Sequence, residues 1–475
     1  MGATLSGVLV RALLALSALA AAAVFASAPH AARSSGPRYV APAGSGALFL
    51  VRGHGYGHGV GMGQWGAQGY ALQGFTYEQI LADYYPGTTL GETAATSIRV
   101  LLASGKKQLT ISSKKPIAVE DGDGTDHTLA AGTTTLTPAL KLAVDGGAAV
   151  ALTPPLTFSP APGTSLTLGR RYRGQLVVDA PNEKLRAINV LPLEQYLYGV
   201  VPAEMPSAWL PAALEAQAVA ARSYALASRK AGAAFDVYAD GRSQAYLGVS
   251  AETVAGRQAV NDTAGQVLLY GGGVADTLFS SSTGGWTQSA ADAFGSPGRP
   301  YLVSVRDPYD NISPYHDWGP VTVTGKTLGR ALGVAGRIVD ATVRRNPSRR
   351  VKTLRLASLR RGAQRTESVT GVTAASELGL RSSWFSVGVL SLQPPAPNPA
   401  VAPRTRVTLS GVVRGVRDVV VQKRSNGTPW KRLRAVHSGS FRFTVKPRVT
   451  TVYRLATAQD AAGSVRIRVQ AATVK

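Results

Sequence analysis

The run Gly53-His54-Gly55-Tyr56-Gly57-His58-Gly59-Val60-Gly61-Met62-Gly63-Gln64-Trp65-Gly66 sets the tightest constraint on this chain, because half of it is glycine. Glycine at that density means a backbone in conformations closed to other residues, or one that a ligand approaches closely. Two of the six histidines, His54 and His58, sit four apart within it. A metal reading needs a third ligand, which His316 or an aspartate would have to supply. A tight loop whose histidines hydrogen-bond to neighbours or to sugar fits the pattern better. No metal and no cofactor is expected.

The compartment follows from the N-terminus. Arg11 precedes the apolar run Ala12 to Ala26, and Ala26-Ser27-Ala28 supplies small residues at signal-cleavage spacing. Residues 1–32 read as a signal peptide, with an uncleaved anchor as the alternative. Either way the working part lies outside the cytoplasm, secreted or in the cell envelope. There Gly61, Gly63 and Gly66, which match G-x-G-x-x-G, meet no dinucleotide. The chain has no cysteine, which excludes disulfides, a thiol nucleophile and cysteine-ligated metal.

The formal net charge of +24 is unevenly placed. Residues 1–320 hold 22 Lys and Arg against 22 Asp and Glu, whereas residues 321–475 hold 29 against 5. The basic third suits an anionic wall polymer or a membrane surface. Nucleic acid is not expected for an exported chain.

Punctuation by Gly and Pro divides the remainder. Residues 33–46 are a flexible lead-in, and Ala47 to Val51 is a short strand. Phe75 to Tyr85 reads as a helix stopped by Pro86-Gly87. Residues 98–180 are strand-like, with Gly, Pro, Asp and Thr between short β-branched runs. The strongest helix follows Pro211 through an alanine-rich stretch to Leu226. Residues 393–402 form a Pro-rich linker, after which alternation returns in Phe441-Arg442-Phe443-Thr444-Val445. The expected fold is therefore α+β, with a β-rich domain over residues 47–392 and one long helix after Glu204. A basic, immunoglobulin-like β-sandwich is expected over 403–475.

Glu204 stands in Val201-Pro202-Ala203-Glu204-Met205-Pro206, an apolar and aromatic setting completed by Trp209. Desolvation there would raise its pKa toward that of a neutral-pH general acid. The N-terminus of the following helix would oppose this by favouring the anion. By itself, a lone Glu before a helix is more often a cap or a surface charge. Glu194 and Glu215 read as a strand-end and a helix-face charge. Ser280 to Thr287, with Trp286, could line a sugar cleft or form a simple Ser/Thr turn.

Taken together, several motifs in order resemble the stage II sporulation protein D family, shared with the LytB amidase enhancer. They are Leu191-Pro192-Leu193-Glu194-Gln195-Tyr196-Leu197, Val200 to Pro206, Ala216 to Ala225, Ser281 to Thr287, Pro300-Tyr301-Leu302 and Asp307-Pro308-Tyr309-Asp310. The resemblance, with the Gly-His segment, covers residues 47–390. It implies a lytic transglycosylase acting on peptidoglycan glycan strands, with Glu204 as the catalytic acid. His54, His58, Gln64, Trp65, Gln217, Arg222, Ser281, Ser282, Thr283 and Trp286 would then contact substrate. The enhancer branch implies instead a non-catalytic wall-binding protein whose partner is a cell-wall amidase. One departure is that the Gly-His segment precedes Glu204 here, whereas in the sporulation members it follows. If the order is permuted, His54 and His58 should fold back to the same cleft.

Overall fold

Alanine and leucine at ten of the positions from 211 to 227, with Pro211 in the first turn, produce the 17-residue helix Pro211–Ala227. In the computed structural model this helix is the axis of the first of two units. The structure describes residues 39–40, 46–94, 96–295, 298–361, 363–395, 400–425 and 427–470. The signal-like segment 1–32, nearly all of the lead-in and residues 396–399 of the Pro-rich linker lie outside them.

The first unit runs from Gly57 to Ser313. Its helices are α1 (Gln64–Leu72), α2 (Tyr77–Tyr84), α3 (Leu193–Glu204) and α4 (Pro211–Ala227), followed by α5 (Val254–Asp262). Thr76 caps α2 in a reciprocal capping box with Gln79, which fixes where that helix starts. The helices close on a core that includes Ile80, Tyr84, Tyr196, Leu197, Val200 and Val219, all essentially buried. The β-rich stretch forms a seven-stranded sheet in which Leu185–Pro192 pairs with both Ser97–Lys106 and Gln175–Asp179. A four-stranded sheet, centred on Leu166–Leu168 and Leu109–Ser113, shares a second core with it through Ile111, Phe158, Leu166 and Val178.

Glu194 and Arg222 join α3 to α4. The Arg222 guanidinium is fully buried and bidentate on Glu194, at 2.9 and 2.6 Å. Its remaining donors go to the carbonyls of Gln266 and Val260. Arg222 is therefore a structural clamp rather than the substrate contact expected, and Glu194 is its partner rather than a strand-end charge.

Among the described residues, the second unit comprises those from Tyr39 to Tyr56 and from Pro314 onward. A five-stranded sheet runs Asp317–Thr324, Leu48–His54, Phe385–Gln393, Val407–Arg414, Gly439–Val445. A six-stranded sheet, built around Thr451–Ala456, Val419–Ser425 and Lys431–Val436, shares a core with it through Leu48, Leu390, Leu409, Val421 and Leu455. The other face of the five-stranded sheet, with Phe49, Val51 and Val389, covers a separate core containing Ile338, Leu354 and Leu356.

This corrects the expected boundary at 393–402. Residues 403–475 do not make a sandwich of their own, because Leu48–His54 and Phe385–Gln393 belong to the same sheet as Val407–Arg414. The physical reason is visible in Leu48-Phe49-Leu50-Val51. A strand buried on both faces is apolar at successive positions, and such a strand needs partners on each side. The Pro-rich segment connects two adjacent strands rather than two domains.

Candidate active site

Glu204 is the last residue of α3, and Pro202 in the same turn removes one helical N–H just before it. The carboxylate consequently sits where helix carbonyls end, a position that disfavours the anion. The expected opposition from the start of α4 is thus replaced by an effect of the other sign from α3. Glu204 is largely buried and faces a pocket lined by His58, Gln64, Tyr224, Arg242, Ser280 and Ser281, among others. It is the single carboxylate among the described lining residues.

Two donors hold it. The Ala245 N–H donates to Oε1 at 2.6 Å, and the Gln64 amide lies 3.5 Å from Oε2. These bonds favour the charged form, but burial outweighs them and pushes the Glu204 pKa up to about 7. A carboxyl at that value is protonated and deprotonated in comparable amounts at neutral pH, as a group that first donates and then accepts a proton requires.

Each support traces to a local sequence cause. Gln64 opens α1 directly after the glycine run, and its amide also reaches the buried Gln217 of α4 at 3.4 Å. Gly61 has φ +68°, and a Cβ there would run into the Leu278 carbonyl, so this turn needs glycine. Ala245 is held by its neighbours. Gln244 donates to the Tyr196 hydroxyl and the Ala221 carbonyl, and Tyr246 donates to Asn189 at 2.8 Å. The segment Gly241-Arg242-Ser243-Gln244-Ala245-Tyr246 was missed as part of the site by sequence reasoning. A buried Gln and Tyr alternating in an otherwise polar loop were the available signal.

The other expected residues divide. His58 and Ser281 line the pocket with Gln64, and Gln217 stands behind it. His58 accepts from the Val60 N–H at 3.0 Å and packs against the Phe294 ring. His54 does not join them. It belongs to the second unit, where its Nδ1 lies 2.6 Å from Asp317 and its ring meets Trp384. Trp65 is half-buried, edge-on to Trp209 with ring centres 4.8 Å apart, and Trp286 is half-buried with its backbone bridged to Arg306. Neither indole lines the pocket. Among the described residues, no group of three or more His, Asp or Glu could hold a metal ion.

Ser282 and Thr283 face inward instead of toward substrate. Ser282 Oγ and the N–H groups of Thr283 and Gly284 donate to buried Asp310, and Thr283 Oγ1 donates to Asp307 at 2.7 Å. Asp307 is 1% exposed, and burial, then the neighbouring Asp310, pushes its pKa up to about 7. Gly63 and Gly66 leave room for it, since a Cβ on Gly66 would overlap both Asp307 and the Tyr84 hydroxyl. A folded-state pKa raised above the unfolded value means that stability is fully present at low pH and lost as pH rises through about 7. Asp307→Asn should therefore raise the melting temperature at pH 8 by several degrees and change it little at pH 4–5. An unchanged difference between wild type and variant across that range, followed by calorimetry, would contradict a buried neutral Asp307.

Comparison with known proteins places the match on this site. Residues 181–270 fit the family model described as Stage II sporulation protein. Over 169 residues the chain is 33% identical to stage II sporulation protein D of Bacillus subtilis, covering 31% of this chain and 48% of that one. Over 115 residues it is 39% identical to the amidase enhancer of the same organism, covering 24% of this chain and 15% of that one. An uncharacterized protein of Brachyspira hyodysenteriae is 37% identical over 153 residues, 32% of this chain and 41% of that protein. The chain thus spans less than half the length of these relatives. No solved structure matches it significantly.

Proposed function

We propose, for a chain that belongs to the stage II sporulation protein D and amidase-enhancer family, that Glu204 cleaves peptidoglycan glycan strands by lytic transglycosylation outside the cytoplasm. The observation that carries this reading is a pocket-facing Glu204 with its pKa near 7 and no second carboxylate among the described residues that line the pocket. A hydrolytic glycosidase needs two carboxyl groups flanking the bond. Transglycosylation needs one. Glu204 protonates the glycosidic oxygen between N-acetylmuramic acid and N-acetylglucosamine as the C1–O bond breaks. The resulting carboxylate then takes the proton of the muramyl C6 hydroxyl, whose oxygen bonds to C1 and closes a 1,6-anhydro ring. The proton given in the first step returns in the second, so the enzyme ends as it began.

The Ala245 N–H and the Gln64 amide hold the carboxyl still through both steps. His58, Ser281, Arg242 and Tyr224 line the space where the sugar would lie. The test is a digest of peptide-stripped glycan by wild type and Glu204→Gln, read by product mass. Anhydro-muramyl products from wild type alone support the assignment, and equal yields from both overturn it.

Similarity to an amidase enhancer favours a second reading, in which the pocket holds glycan without cutting it and a cell-wall amidase is the partner. That reading expects no turnover by the protein alone, with faster wall lysis once an amidase is added.

The basic second unit, in our reading an immunoglobulin-like adhesion module, would hold the protein to anionic wall polymer or membrane surface. Its support is the exposure of Lys431, Arg432, Arg442 and Arg466 on its strands. Retention on isolated walls should fall steeply between ~0.05 M and ~0.5 M salt, as the screening length drops below about 5 Å. Retention independent of salt in a sedimentation assay would count against adhesion by charge.

A further inference from the structure

The second unit holds a groove of about 740 Å³ whose walls are the ends of its two sheets. Lys431–Val436 ends the six-stranded sheet and Gly439–Val445 ends the five-stranded one, so among the described residues each has an edge with no strand beside it. Lys423, Arg434, Lys446 and Arg448 line the groove, and no carboxylate does among the described residues. Its floor is apolar. Leu433 and Val449 are 37% and 44% exposed there, next to the buried Phe443 and Tyr453. Arg434 lies over the Phe443 ring at 5.7 Å, so charge and apolar surface alternate along one wall.

We propose that this groove binds an extended, acidic segment of another polypeptide, which adds as a strand to the free edge of Gly439–Val445. Three properties point to one occupant. The seven-residue strand offers roughly 23 Å of edge, and its last three residues, Phe443, Thr444 and Val445, run into the groove. Its backbone donors and acceptors repeat at the spacing of a polypeptide, which is how strand addition obtains affinity. Acidic side chains would meet the four cations, while apolar ones between them would cover Leu433 and Val449. A phosphodiester polymer satisfies only the charge. The proposal is independent of the reaction assigned to Glu204.

Cations on an edge strand also deter self-pairing between copies. A groove with that role alone leaves a peptide unbound, which the experiment can read. The probe is a dye-labelled octapeptide alternating Glu and Val, followed by fluorescence anisotropy on the full-length protein. Binding is expected, and N-methylation of alternate backbone nitrogens should weaken it by at least about tenfold while leaving the side chains unchanged. The double variant Lys446→Glu, Arg448→Glu, both exposed positions, should weaken binding by a similar factor at an unaltered melting temperature. The N-methylated probe makes the test on wild-type protein should that variant fail to fold. Equal binding of the N-methylated peptide overturns the proposal, as does no binding of the parent peptide. Inorganic polyphosphate that displaces both peptides alike would identify a simple polyanion site and overturn strand addition.

Discussion

Glu204→Gln is expected to remove anhydro-muramyl product formation by about 10²- to 10⁴-fold, the contribution typical of a positioned acid–base group. The amide keeps the shape of the side chain, and its carbonyl oxygen can still accept from the Ala245 N–H, so the pocket should remain assembled. What it loses is the proton. In the wild type, kcat/KM should fall about tenfold per pH unit above the Glu204 pKa of about 7, because the step that breaks the bond consumes the protonated form. Stability should respond with the opposite consequence for the variant. The raised pKa makes the wild type lose stability as pH rises through about 7, whereas the glutamine has no charge to bury. A variant as active as wild type, or a wild-type profile flat from pH 6 to 9, would remove Glu204 from the chemistry. Unchanged stimulation of an added amidase by the variant would favour the enhancer reading.

Glu194→Ala is expected to cost about 3–5 kcal/mol, because it strands a buried guanidinium without its counter-charge. Arg222 is 0% exposed and its two remaining contacts are neutral carbonyls, neither of which replaces a carboxylate. The pair ties α3 to α4, so its loss should loosen the helix that ends in Glu204. Thermal denaturation would register this as a large drop in melting temperature or as insoluble protein. The double variant Glu194→Leu, Arg222→Met removes both charges and should recover much of the stability. Such a protein with full activity would confirm the clamp role. A folded double variant without activity would return Arg222 to the substrate.

Much of this site could be read from the sequence because its chemistry is carried by short contiguous runs. The Glu204 motif, the alanine helix and the glycine segment each name themselves. What was hidden is the direction each side chain faces. Ser282 and Thr283 look like cleft hydroxyls until the buried Asp307 and Asp310 are known to lie behind them, and those acids are more than twenty residues away in the chain. The resemblance implies Arg222 as a ligand contact, and only tertiary packing reveals its partner at Glu194. His54 and His58, four apart, read as one site, yet they belong to different units. In the fold, the Pro-rich punctuation outweighed the apolar run at Leu48 to Val51, which was the better guide to where the second unit begins.

The strand Leu48–His54 also bears on how the protein reaches its folded state. A chain that emerges N-terminus first presents this strand long before either neighbour, since Asp317–Thr324 and Phe385–Gln393 follow the entire first unit. Residues 57–313 have their own cores and can settle as they appear, while Leu48, Phe49, Leu50 and Val51 wait uncovered at the base of a very long loop. Closing such a loop is slow relative to local pairing. Until it closes, a flat apolar strand is open to wrong partners. The first unit thus matures as an insertion inside an unfinished second one, and completion of the protein is timed by the arrival of its last strands rather than its first.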